Sequence, residues 1–198
     1  MNNTLATEVA ELALRYGEPR RVAVVLAGLP FSPMSELDRI GEVCMIVRRR
    51  NGKLLTAIKT FYPEGAFRLL TGGINHGEAI EAALLRETWE ETGLEVVVRQ
   101  FLAVIEYRLA ENAAKSEADF ITFAFLLDET GGVLAAQDPN EQLAAYRELP
   151  VDELPALADT LENLTKQFNS EIEGHWNHWG QFRAVVHRVV AEILHDQP

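Results

Sequence analysis

Apolar and polar positions alternate along this chain with two periods, and the switches between them mark the elements. Leu5, Val9, Leu12 and Tyr16 recur at helical spacing, which predicts a helix over about residues 4–16 that Gly17 and Pro19 end. The run Arg21-Val22-Ala23-Val24-Val25-Leu26 predicts a strand over about 21–28, and residues 30–38, with two prolines and two serines, read as a loop. Strand-like stretches at about 42–49 and 53–60 flank Arg50-Asn51-Gly52, a hairpin signal because both Asn and Gly tolerate positive φ. A short strand at about 67–70 precedes a glycine-containing loop. Helical spacing of Ile80, Leu84 and Thr88 then predicts a helix from about 80 to 92, stopped by Gly93. Two longer strands, about 95–108 and 119–128, are joined by a polar loop through Glu111, Lys115 and Glu117. After Gly131-Gly132 and Asp138-Pro139 the pattern gives a short strand near 142–149, then helices at about 152–168 and 176–195. Hairpins mixed with helices predict an α/β (α+β) fold, a mixed sheet with helices packed on its faces.

Composition adds limits. The chain has 198 residues, 47% hydrophobic and 24% charged, enough for one domain with a real core. Its formal net charge of −12 repels nucleic-acid backbones and anionic membranes, so neither is an expected partner. An acidic enzyme working on phosphates needs cations at its site. The single cysteine, Cys44, lies in an apolar run and reads as a buried, inert thiol. No basic region followed by an apolar core opens the chain. The longest apolar run, 22–31, is half the ~20 residues of a membrane span. A soluble, cytoplasmic protein is the expectation.

The chemistry concentrates in Gly72-Gly73-Ile74-Asn75-His76-Gly77-Glu78, seven further residues, then Arg86-Glu87-Thr88-Trp89-Glu90-Glu91-Thr92-Gly93-Leu94. The glycines permit a tight, positive-φ loop. Glu87 and Glu91, four apart, share a helix face with Glu90 beside them, and only Arg86 offers local positive charge, reaching Glu90 at i,i+4. Such a face is either a solvated acidic stripe or a site for a hard cation, which takes oxygen ligands and keeps several waters.

The spacing resembles the Nudix box, G-x5-E-x7-R-E-U-x-E-E-x-G-U with U a bulky aliphatic residue. Gly72, Glu78, Arg86, Glu87, Glu90, Glu91, Gly93 and Leu94 match, and Thr88 departs from the pattern at the first U. Seven fixed letters match by chance in roughly one such sequence in a million, so the spacing outweighs the acidic-stripe reading. The resemblance implies an α/β/α sandwich with residues 1–40 as an extension of helix and strand and 41–198 as the hydrolase domain with its C-terminal helices. It implies Mg²⁺- or Mn²⁺-dependent hydrolysis of a pyrophosphate bond in a nucleoside diphosphate linked to another moiety. By position, Glu91, Glu90 and Glu87 are the expected metal ligands, with the carbonyl of Thr71 just before the box. Glu87 or a nearby carboxylate orients and deprotonates the attacking water, and Arg86 fixes the glutamates. Gly72, Glu78 and Gly93 support the box loop. Thr71 stands where family members commonly have glycine, and Leu70 replaces a frequent proline, which puts loop shape rather than metal chemistry in question. A non-catalytic nucleotide-binding module on the same fold is the alternative.

Outside the box, Glu141 is the expected additional catalytic glutamate, with Glu117 its competitor. Arg68 and Arg48 are the expected phosphate contacts on the substrate, Arg48 within the basic hairpin of Arg48-Arg49-Arg50 and Lys53. No substrate subfamily is assigned. Residues 107–110 lack the proline of one ADP-ribose group, 110–112 lack the tyrosine of dinucleoside-polyphosphate enzymes, and Ile58 breaks a coenzyme A-type signature after Leu54-Leu55-Thr56. His175 and His178 read as polar helix-start residues, and Trp176, Trp179 and Phe182 as the packing stripe of the last helix. The N-terminal extension either covers the sheet or forms a homodimer.

Overall fold

The computed structural model describes residues 3–27, 39–114 and 117–196. Helix α1 (Asn3–Tyr16) and strand β1 (Arg20–Leu26) open the chain. Strands β2 (Arg39–Arg48), β3 (Leu54–Lys59) and β4 (Arg68–Asn75) lead into helix α2 (Ile80–Thr92). Strands β5 (Leu94–Leu109), β6 (Phe120–Gly132) and β7 (Leu143–Leu149) follow. Helix α3 (Leu154–Glu162), a two-residue pairing of β8 (Phe168–Asn169) with β9 (Gly174–His175), and helix α4 (Trp176–His195) close the fold. The loop expected at 30–38, and Lys115 of the polar loop, lie outside the described residues.

Seven strands form one mixed sheet in the order β1-β5-β6-β2-β4-β3-β7. β1 runs parallel to β5 and β2 parallel to β6, and the other neighbours are antiparallel. The strand period of two sorts side chains to opposite faces. Cys44 and Ile46 of β2 join one core with Leu154, Leu161, Trp179 and Val186 of α3 and α4. Val43, Met45 and Val47 join the other with Leu5, Val9 and Leu12 of α1 and Ile80 and Leu84 of α2. The result is helix, sheet, helix, as expected for the α/β/α sandwich. Among the described residues no helix is long and apolar enough to cross a membrane.

Three local expectations are revised. The hairpin turn is a four-residue turn in which Gly52 alone takes positive φ, at 83°, while the Asn51 side chain accepts from the Lys53 N–H. An Asn side chain that bonds its own backbone stabilises the turn without needing a left-handed Asn. The strand expected at 67–70 continues to Asn75, because Gly72 and Gly73 pair with Val43 and Glu42 of β2 instead of opening a loop. The helix expected at 152–168 stops at Glu162, and the chain then makes the β8–β9 turn that leads into α4.

Candidate active site

Helix α2 faces the sheet through Ile80, Leu84 and Thr88, all fully buried. Thr88 answers its departure from a bulky aliphatic by donating its hydroxyl to the Leu84 carbonyl at 2.6 Å, which satisfies the polar atom within the helix. Gly93 ends the helix in the left-handed region at φ 64° and donates its N–H to the Trp89 carbonyl.

That packing turns the acidic residues of α2 toward β4. Gly72 is needed here for close approach, since a Cβ on it would stand 2.1 Å from Cδ of Glu87. The positive-φ glycine of the box loop is Gly77, at 81°. Arg86 is the hub of the loop. It donates to both oxygens of Glu78 at 2.7 and 2.8 Å, to Glu87 at 2.8 Å, to Glu90 at 2.9 Å and to the Gly73 carbonyl at 3.0 Å. Glu78 in turn accepts from the Asn75 N–H, and its bond to Arg86 holds its carboxyl below the usual range. Burial raises the Glu87 carboxyl even against the pull of Arg86.

Glu91 is the anomaly. It is 1% exposed, and neither carboxylate oxygen has a hydrogen-bond partner. The nearest cation, Arg68, holds its Nη2 3.8 Å away, beyond hydrogen-bond reach. Burial pushes the Glu91 carboxyl up to about 8, against the opposing charges of Arg68 and Lys59. A buried carboxylate with two orphaned oxygens is costly unless something pairs with it, and a divalent cation is the partner whose ligand preference it meets. Among the described residues, no three carboxylate, imidazole or thiol groups already stand together as a cation cage. Glu87 and Glu90 are turned onto Arg86 instead. The donor set is the hard-oxygen kind, so Glu87, Glu90 and Glu91 fit a hard divalent cation such as Mg²⁺ or Mn²⁺.

Of the positions expected from outside the box, Glu141 is brought to the site. It bonds Lys59 at 3.0 Å, and its charge raises both Glu87 and Glu91. Arg68 is buried beside Glu91, donates to the Tyr62 hydroxyl and the Leu69 carbonyl, and lines the adjoining cavity with Thr71. Arg48 is not brought there. It bonds Asp128 at 2.7 Å, six extended residues or about 20 Å along β2 from Glu42, which lines the cavity that Arg68 and Thr71 share, and it lines a separate hollow with Arg49, Arg50 and Arg99. Glu117 borders another hollow, with Glu8, His76 and Glu78. The His175 imidazole bonds the Lys166 carbonyl, and Trp176, Trp179 and Phe182 are buried in the α4 core.

Four residues had no place in the sequence reading. Tyr146 donates its hydroxyl to the backbone carbonyl of Glu91. Glu42 and Arg183 form a buried pair, with Arg183 Nη1 2.7 Å from both oxygens of Glu42. His187 Nε2 accepts from the Leu69 N–H at 2.9 Å. The signal for Arg183 and His187 was present: they continue the Trp179 stripe at i+4 and i+8, polar residues on an apolar face. Glu42 likewise opens the apolar run Val43-Cys44-Met45-Ile46-Val47.

The chain is similar to several known proteins. The chain is 32% identical over 123 residues to an ADP-ribose pyrophosphatase of Methanocaldococcus jannaschii, covering 62% of this chain and 69% of that protein. It is 29% identical over 119 residues to the NAD-capped RNA hydrolase NudC of Chromobacterium violaceum, covering 60% of this chain but only 41% of that protein. The crystal structure of an ADP-ribose pyrophosphatase from Streptococcus suis aligns with a TM-score of 0.48 at 15% identity, over 79% of this chain and 92% of that one. The family model for the NUDIX domain matches residues 38–170, about two thirds of the sequence and all of the box, and the chain therefore belongs to the Nudix family.

Proposed function

We propose that this protein hydrolyses a pyrophosphate bond in a nucleoside diphosphate linked to a second moiety, with Mg²⁺ or Mn²⁺ held by Glu87, Glu90, Glu91 and the Thr71 carbonyl. The observation that carries the reading is Glu91, buried with both oxygens unpartnered. A module that only bound nucleotides would bear the cost of that carboxylate without return. When bound, the ion supplies Lewis acidity and neutralises phosphate charge.

The chain's own residues do the rest. Arg86 holds Glu87 and Glu90 on one side of the box loop and ties that loop through Glu78 and the Gly73 carbonyl. Glu87 or Glu141 takes a proton from the attacking water in this reading, supported by the raised carboxyl of Glu87 and by the bond of Glu141 to Lys59. Arg68, buried in the lining of the same cavity, is the cation for a phosphate oxygen. Residues 1–40 serve as an extension of the hydrolase domain at 41–198.

The test is release of phosphate-containing products from a nucleotide panel with and without Mg²⁺. Glu91→Gln is expected to lower kcat by on the order of 10²–10³-fold. Its thermal stability without metal is expected to hold or rise above pH 8, where the wild-type carboxyl, raised to about 8 by burial, would become a buried unpaired charge. Undiminished wild-type turnover in excess chelator would sink the proposal.

A further inference from the structure

The arginines of the β2–β3 hairpin have no part in the proposed hydrolysis. Arg48, Arg49 and Arg50 line a hollow of about 280 Å³ with Arg99 of β5 and with Asp128, Glu129 and Thr130 of β6. The hollow lies about 20 Å along β2 from Glu42 and the cavity beside the box. The chain as a whole carries a net charge of −12, yet four guanidinium groups meet here. Like charges held together are costly unless opposite charge answers them.

The answer inside the protein is incomplete. Arg48 and Arg99 share a single carboxylate: Nε of Arg48 donates to Oδ1 of Asp128 at 2.7 Å, and Nε of Arg99 donates to Oδ2 at 2.5 Å. Among the described residues neither guanidinium makes another hydrogen bond, so each spends one of its five N–H donors. The Arg50 guanidinium bonds the Thr130 carbonyl, which carries no charge. Glu129 accepts from Nε of Arg49 at 2.7 Å, while Arg49 Nη1 is buried without a hydrogen-bond partner. Glu148 lies 3.4 Å from that nitrogen and also accepts from Asn51. Even with Glu148 counted beside Asp128 and Glu129, the arginines outnumber the carboxylates.

These features select the ligand. The unspent N–H forks of Arg48 and Arg99 suit the oxygens of a phosphate group, which arginine takes bidentately. The two side chains are 41% and 59% exposed, so an anion reaches them without opening the fold. The volume falls below the ~300–1,000 Å³ of pockets that hold a whole drug-sized ligand, so one phosphate with a small neighbour fits. Val97, exposed at the same wall, offers apolar contact to the carbon beside the phosphate. A long polyanion is disfavoured, because beyond the hollow it runs onto a surface of net negative charge.

We propose that this hollow binds the phosphate group of a small ligand, inorganic phosphate or a phosphomonoester, through Arg48, Arg99 and Arg50. The site is independent of the hydrolase reading, since it uses none of the box glutamates.

The experiment titrates orthophosphate and AMP into the full isotope-labelled chain, without divalent cation and at constant ionic strength, and follows the backbone amide shifts. Both probes are expected to give saturable shifts at Gly52, Val97 and Thr130. Equal Kd values assign the site to the phosphate group alone, and a tighter AMP assigns it to a phosphomonoester that also rests on Val97. Arg48→Gln and Arg99→Gln are each expected to weaken the Kd about tenfold, the effect of losing one hydrogen bond between charged groups. Both replace half-exposed side chains, so the variants are expected to fold, which thermal melts check. If the arginines serve structure alone, the variants melt lower and bind phosphate as the wild type does, and the proposal is overturned. Shifts confined to Gly72 and Gly73 beside the box, or shifts that never saturate, overturn it as well. So does a single-stranded oligonucleotide that moves the same amides at far lower concentration than AMP, which would make the hollow a polyanion site.

Discussion

Gly72 shows how a single missing methyl sets the geometry of the site. The glutamate that packs on it, Glu87, fills the space a Cβ would occupy, with Cδ, Cγ and Oε2 all within 2.3 Å of that position. Those atoms belong to a flexible side chain and not to backbone, so Gly72→Ala can be accommodated by moving Glu87. The backbone there is an ordinary strand paired with Val43, without positive φ. The expected outcome is a folded protein whose melting temperature shifts by only a few degrees and whose activity falls about 100-fold, the effect of a displacement near 1 Å at a reacting group. Circular dichroism melts beside a turnover assay check it; full activity with normal stability would mean that Glu87 needs no fixed position. The sequence already singled out Gly72 by its place in the box. The physical reason for it was not legible, because a turn glycine and a close-contact glycine look alike until the opposing helix is placed. Gly77 and Gly93 are the turn and cap glycines that the pattern leads one to expect.

At the scale of elements, helix α2 depends on a helix distant in sequence. Its N-cap residue is Ala79, which offers no side-chain acceptor, yet the Ile80 N–H is satisfied by the Glu8 carboxylate of α1 at 2.5 Å. Arg15 and Tyr16 at the other end of α1 both bond Glu81. An anion at a helix N-terminus also meets the positive end of the helix dipole. Glu8→Ala is therefore expected to cost about 1 kcal/mol, as for loss of a good N-cap, measured as a shift in the urea midpoint at unchanged m-value. No measurable shift would show that water replaces the cap without loss. The existence of α1 and α2 was legible from periodicity, and so was Gly93 as the stop. Their contact was not, since nothing local in Leu5–Tyr16 says which face of the sheet it covers. The same holds for α4. Its apolar stripe announced a packed helix, but Arg183 and His187 gained meaning only once Glu42 and Leu69 were found opposite them.

Across the whole molecule, His187 joins the α4 layer to the sheet and makes stability depend on pH. Its Nε2 accepts from the Leu69 N–H of β4, while Nδ1, 2.7 Å from the Arg183 carbonyl, carries the proton. A second proton would set two N–H groups against each other, in a fully buried position near the charges of Arg183 and Arg68. Burial, with those cations adding to it, lowers the imidazole from 6.5 to about 4 in the fold. Above pH 6.5 neither folded nor unfolded chain binds this proton, and the contribution is whole. As pH falls from 6.5 toward 4 the unfolded chain takes up the proton first, so stability is lost across that window. At pH 5 the loss attributable to His187 is about 2 kcal/mol, from a slope of ~1.4 kcal/mol per pH unit. Glu91 acts in the opposite sense: its carboxyl is raised to about 8, so its contribution is full below the unfolded value and fades as pH rises toward 8. The two effects partly cancel in the wild-type curve, and a variant is needed to separate them. His187→Gln, which does not titrate, is expected to be less stable than wild type at pH 7.5 and to close on it by about 2 kcal/mol at pH 5. Urea unfolding of both proteins at the two pH values measures this directly. Parallel losses would mean that the imidazole is already free to protonate in the fold, and that the seam between α4 and β4 is held by packing alone.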